Sequence, residues 1–155
     1  MPTPQSLPIA LPYRPALRLL VGIMIPADRQ LGVPGADDDL IFADIVRSSS
    51  IVAQAIQAAL DRLDEFSGAA FAELPATLQQ GTALRFLGEQ SAHHQALLAP
   101  LFALVLQCYY RDDRVMRSVG MEVRPPFPKG FEVEQGDWSL LDPVRARRKI
   151  YRDVR

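Results

Sequence analysis

The sequence predicts an all-α protein, a single bundle of about five helices followed by an extended C-terminal arm rich in proline and aromatic residues. Three observations carry that expectation. Apolar residues recur at helical spacing through most of the first 123 positions, alternating patterns are lacking before residue 130, and proline and aromatic residues crowd the end of the chain. The predicted organisation is an extended lead over residues 1–13, a helical bundle over 14–123 and a docking arm over 124–155. With 155 residues the chain is the size of one domain and long enough to bury a core without cross-links.

The lead holds Pro2, Pro4, Pro8 and Pro12. Pro15 suits the first turn of a helix, where its missing N–H is not needed, and Pro26 stops that helix near Ile25. Leu17, Leu19, Leu20, Val21, Ile23, Met24 and Ile25 make it apolar on nearly every side, which places it inside the bundle or against a partner. The stretch from Pro26 to Asp39 is dense in proline, glycine and aspartate and reads as a loop. Asp37, Asp38 and Asp39 lie just before an apolar-periodic run. Consecutive carboxylates diverge and the loop lacks alternating oxygen ligands, so they read as anions at a helix N-terminus rather than as a metal site.

A helix from about Asp38 to Arg47 leads into Ser48–Ser50, which either cap a second helix or lie within one long one. From Val52 the stripe Val52, Ala55, Ile56, Ala59, Leu60, Leu63, Phe66 has helical spacing, and Gly68 ends it. A shorter helix begins near Pro75 and contains Gly81 and Gly88. His93 to Tyr110 is apolar almost all round, the signature of a central helix, with Pro100 inside it. Arg111 to Met121 continues as a short helix or turn ending at Gly120. Beyond it, Phe131 to Glu134 is the one candidate edge strand.

The balance of 17 basic against 18 acidic residues gives a net charge of -1, which offers no electrostatic case for nucleic acid. Leu17 to Ala27 is too short to span a bilayer, and its flanks lack the charge pattern of an export signal, so no direct membrane insertion is expected. The expected address is cytoplasmic, or periplasmic only if a partner carries the chain there. The single cysteine, Cys108, rules out an internal disulfide and reads as a buried core thiol.

No phosphate cradle, nucleophile elbow, paired-cysteine motif or zinc helix occurs, so no catalytic, cofactor-binding or metal-binding residues are assigned. His93 and His94 diverge by about 100° on a helix and cannot chelate one ion together. On one helix His94 and Cys108 would lie about 21 Å apart, too far for a nucleophile and its base. Tyr109 to Arg114 is the densest polar cluster. It reads as a helix end whose arginines and aspartates satisfy the backbone and each other; the alternative is a small helical enzyme using Tyr109 or Tyr110 with Asp112 as an acid–base pair.

The 32 residues from Arg124 to Arg155 are costly to order unless something pins them. Phe127, Phe131, Trp138 and Tyr151 argue against disorder and read as anchors for pockets, while Pro125, Pro126 and Pro128 lower the entropy cost of an extended shape. Tyr109 and Tyr110 join them as candidate partner-binding residues. The end from Val144 to Arg155 carries six basic residues against one acid, a short solvated run or a match for an acidic partner.

The order of several short motifs resembles a known family. Ile23 to Asp28 (IMIPAD), the following GVPGADDDLIFADIV, Phe71 to Leu74 (FAEL), and Leu101 to Met121 leading into RPPFPKGFE are similar to the third, small subunit of gluconate 2-dehydrogenase and to the related gamma subunits of flavin-dependent sugar and alcohol dehydrogenases. The resemblance covers roughly residues 17–130. It implies a non-catalytic accessory subunit that binds and stabilises a large flavoprotein of the glucose-methanol-choline (GMC) type, with the FAD in that partner and no cofactor of its own. The twin-arginine signal frequent in that family is not present at this N-terminus, and the segment Glu134 to Arg147 departs from the family tail. A self-associating protein that exchanges its arm between identical chains is the other alternative.

Overall fold

A computed structural model describes residues 7–123 and 136–148. The chain divides into two compact units, Met1–Val123 and Arg124–Arg155. Six helices build the first unit: α1 (Arg14–Met24), α2 (Asp39–Ser48), α3 (Ala53–Ser67), α4 (Ala76–Leu87), α5 (Ala92–Tyr109) and the short α6 (Asp113–Ser118). The architecture is all-α, and among the described residues no strand occurs.

The lead is less detached than its prolines suggested. Ile9 is fully buried, and its N–H donates to Ser49 Oγ at 2.8 Å, so the core begins before the first helix. Leu11–Tyr13 then forms a 3₁₀ turn running straight into α1. Ala16, Leu17, Leu20 and Val21 bury one face of α1, and Leu19, Ile23, Met24 and Ile25 are half-buried, which puts the helix inside the bundle as its composition required.

The loop after α1 is a tight folded turn. Asp28 and Val33 exchange both backbone hydrogen bonds at 2.9 Å, and Asp28 Oδ1 accepts from the N–H groups of Gln30 and Leu31. Gly32 supplies the left-handed residue that closes it, at φ +65°. Ala36 N–H donates to Ile25 O at 2.9 Å and seals the base. Gly35 is needed there for space: a Cβ would lie 2.8 Å from Ala27 N and 2.5 Å from Asp37 Oδ1.

Ser48 is the last residue of α2 and Ser49 its C-cap, so Ser48–Ser50 neither cap the start of α3 nor join the two helices into one. Ser49–Ile51 is a 3₁₀ turn between α2 and α3, and the buried Ser49 hydroxyl donates to Val46 O at 2.7 Å while accepting from Ile9. The chain prefers the turn because it gives both polar groups of a buried corner a partner. α3 ends at Gly68, φ +73°, as expected of a left-handed C-cap. Phe71–Glu73 forms a further 3₁₀ turn whose Phe71 is fully buried, anchored by its N–H to Asp64 Oδ1 at 2.7 Å.

α5 packs against α3 and α2, and Leu98, Leu101, Leu104, Val105, Cys108 and Tyr109 enter the common core. Its composition implied a helix wrapped on every side; instead one long face stays exposed. His94, in its first turn, is buried. Its Nε2–H donates to the Phe86 carbonyl at 2.7 Å, and its ring meets the Phe86 ring edge-on at 4.6 Å between centroids, so it closes the C-terminal end of α4. His93 is exposed.

In the second unit, the arm was expected to be extended throughout. Over Trp138–Leu141 it is a 3₁₀ turn, continued by a short helix α7 (Asp142–Arg145). The local cause is visible in the residues: Asp137 Oδ1 accepts from Ser139 N–H at 3.0 Å and from its hydroxyl at 2.6 Å, and Pro143 occupies the first turn of α7. The candidate strand Phe131–Glu134 lies outside the described residues.

Candidate functional site

Two features of the first unit stand out, a charged cleft among α2, α5 and α6 and the outer face of α5. The cleft has a volume of about 520 Å³ and is lined by Leu40, Ile41, Asp44, Arg47, Cys108, Arg111, Asp112, Asp113 and Arg114. Two helix N-termini meet beside it. Asp38 caps α2 by accepting from Leu40 N–H at 3.1 Å, and Asp112 caps α6 by accepting from Arg114 N–H at 2.9 Å. The Arg114 guanidinium then joins the two caps. Its Nη1 and Nη2 grip Asp38 at 3.1 and 2.7 Å, and its Nε and Nη2 hold Asp112 at 3.0 and 2.9 Å.

These contacts hold the Asp38 and Asp112 carboxyls below the usual range, Arg114 being the main cause for both. At the other wall Asp44 accepts from Arg111 Nε at 3.0 Å and from Arg47 at 2.8 Å. Burial works against the charge on Asp44, but the two arginines outweigh it and its carboxyl also lies low. Arg111 reaches Ser48 Oγ at 3.1 Å and Cys108 Sγ at 3.5 Å. Burial, with Asp44 nearby, pushes the Cys108 thiol up, as suits a core thiol.

Chemically the cleft is already occupied by its own pairs. Tyr109 donates its hydroxyl to Pro34 O at 3.1 Å, and both Asp112 oxygens accept from Arg114, so the geometry does not assemble the acid–base pair of Tyr109 with Asp112. The three consecutive aspartates also part company. Asp37 packs where a Cβ on Gly22 or Gly35 would collide, Asp38 pairs with Arg114, and Asp39 pairs with Arg18. Among the described residues no group of three His, Cys, Asp or Glu side chains converges as metal ligands would. No helix among them is long and apolar enough to cross a membrane.

The predicted partner-binding residues fare differently. Tyr109 is 7% exposed and its hydroxyl donates to Pro34 O in the loop before α2, because position 109 falls on the inward face of α5. Tyr110, one step around the helix, is 54% exposed and lies edge-on against the Tyr109 ring. Trp138 is also exposed, at the start of its 3₁₀ turn. Phe127, Phe131 and Tyr151 lie outside the described residues.

Residue-by-residue reading missed the outer face of α5. Gln95, Ala96, Ala99, Phe102, Ala103, Leu106, Gln107 and Tyr110 are all exposed, and none is charged. The signal was present: from Ala92 to Tyr110 the sequence contains no Asp, Glu, Lys or Arg. A soluble helix with an outward face normally places charges there.

The class that fold and site define is a small helical bundle whose charged cleft is lined by mutually paired side chains and whose longest helix shows an uncharged side to solvent. No family model, no curated protein and no solved structure matches the chain.

Proposed function

We propose that this chain is a non-catalytic accessory subunit that binds and stabilises a large GMC-type, flavin-dependent sugar or alcohol dehydrogenase. The observation that carries the docking role is the exposed, uncharged face of α5, an arrangement that protein surfaces keep for contact with another protein. Support for the flavoprotein as partner comes from the short motifs around Ile23–Asp28, Phe71–Leu74 and Leu101–Met121. The commitment of Arg111, Asp112 and Arg114 to ion pairs agrees with chemistry carried out by the partner, which holds the FAD. Exposed Trp138 and Tyr110 are contact residues in this reading.

A tagged pull-down from the native host, with mass spectrometry and a flavin absorbance scan, tests it. The expected eluate is yellow and contains a large dehydrogenase in near-stoichiometric amount. A colourless eluate containing only this chain would sink the proposal. The same uncharged face also suits a second copy of the chain, and sedimentation of the pure protein separates that reading by its mass.

A further inference from the structure

A second hollow lies between α1 and α2 and shares Arg47 with the charged cleft. Its volume is about 380 Å³, and Arg14 of α1 lines it together with Asp39, Phe42, Ala43, Val46 and Arg47 of α2. The α2 positions fall at i, i+3, i+4, i+7 and i+8, so they share one side of that helix. Phe42 and Val46 are half-buried and Ala43 is exposed, which gives the hollow an apolar floor. Asp39 stands at one end of that floor and Arg47 at the other, about 12 Å away along the helix axis.

The two ends differ in charge. At the first, Arg18 pairs with Asp39 and lies 5.4 Å from the centre of the Phe42 ring, so that carboxylate is matched. At the second, Ile9 fixes the position of Arg14: its N–H bonds Ser49 just beyond α2, and its carbonyl accepts from Arg14 Nε at 3.4 Å. Arg14 therefore stands at the Arg47 end. Among the described residues its guanidinium meets no carboxylate, and only Nε is engaged. Arg47 spends Nη2 on Asp44, which Arg111 also holds. Arg14 is thus the uncompensated charge. The carbonyl end of α2 is blunted here, since Val46 O accepts from both the N–H and the hydroxyl of Ser49.

A guanidinium without a counterion beside an apolar floor defines a ligand by its two parts. Arginine grips a planar carboxylate through paired N–H groups, and Arg14 and Arg47 both have nitrogens to spare. A single negative charge balances the one uncompensated arginine, whereas a doubly charged phosphate would also face Asp39 and Asp44. Hydrocarbon laid on Phe42, Ala43 and Val46 leaves water. The volume also falls in the range of about 300–1,000 Å³ usual for small-molecule sites. We propose that the hollow between α1 and α2 binds a small carboxylic acid with an apolar body, its carboxylate held by Arg14 and Arg47 and its hydrocarbon part lying over Phe42, Ala43 and Val46.

The test titrates the full chain with octanoate, followed by calorimetry and by amide NMR shifts. The expected result is saturable binding, with shifts concentrated around Arg14 and from Phe42 to Arg47. Arg14→Gln combined with Arg47→Gln should weaken it about tenfold or more, and octylamine and octanol should bind about tenfold more weakly than octanoate. Ala43→Glu, at an exposed position, should abolish binding with both arginines in place, and it decides the matter if circular dichroism shows that the double variant loses its helices. Absence of saturable binding, shifts centred on another face such as the outer side of α5, or octanol binding as tightly as octanoate overturns the proposal. So does unaltered affinity in either folded variant, or tighter binding of octyl phosphate than of octanoate.

Discussion

Arg114 reaches across 76 residues of sequence to bind Asp38, and in doing so it ties the caps of two helices to each other. The Arg114 side chain is 40% exposed, so solvent screens the pair, and Arg114→Ala should cost only about 1 kcal/mol in urea denaturation at neutral pH. Both aspartates titrate below their ordinary value in the folded state. Their contribution is thus complete above the unfolded value, about 3.9, and is lost as the pH falls through the lower folded values. Wild type and Arg114→Ala should therefore converge in stability near about pH 2; an unchanged gap there would show that the arginine acts through packing alone. Ser49 presents a sharper case. Its hydroxyl is fully buried between Ile9 N–H and Val46 O, and Ser49→Ala leaves a buried donor unpaired, an expected loss of about 1–3 kcal/mol by the same measurement.

At the scale of elements, two glycines make opposite predictions. Gly68 ends α3 at φ +73° with open space around it, so Gly68→Ala costs only the backbone strain, about 1 kcal/mol. Gly81 lies within α4, and a Cβ there also meets nothing within 4 Å. Gly81→Ala should raise stability by about 0.5–1 kcal/mol, since alanine favours the helix. Thermal unfolding of the two variants should move in opposite directions. Both positions were visible in the sequence as glycines near or inside a helical pattern, but only the backbone angle tells which one alanine can replace. The helices themselves were legible: α1, α3 and α4 begin and end within a residue or two of the positions marked by Pro15, Gly68 and Pro75. The arm was not. Local capping by Asp137 and the N-terminal preference of Pro143 bend Trp138–Arg145 into helical turns where proline content alone suggested an extended chain.

For the molecule as a whole, the first unit contains the entire connected core from Ile9 to Val115. A chain ending at Val123 should accordingly keep its helical circular dichroism and unfold in one cooperative transition. A broad, non-cooperative melt would mean that residues beyond 123 complete the fold. In the proposed complex, the same truncation separates two contributions to binding: that of α5, which it retains, and that of Trp138 with the rest of the arm, which it removes.

Sequence alone determined the helical class, the order and ends of most helices, and the lack of charge along α5, because these depend on residues near one another in the chain and on the free energy of burying apolar side chains. Tertiary structure decided which side of each helix is buried. Adjacent Tyr109 and Tyr110 have nearly the same composition around them, yet one is core and the other surface, since a step of about 100° around α5 turns a side chain from the α2–α3 side to solvent. It also decided the pairing of Asp38 with Arg114 and of Ile9 with Ser49, because contacts between distant segments exist only once the chain has closed on itself.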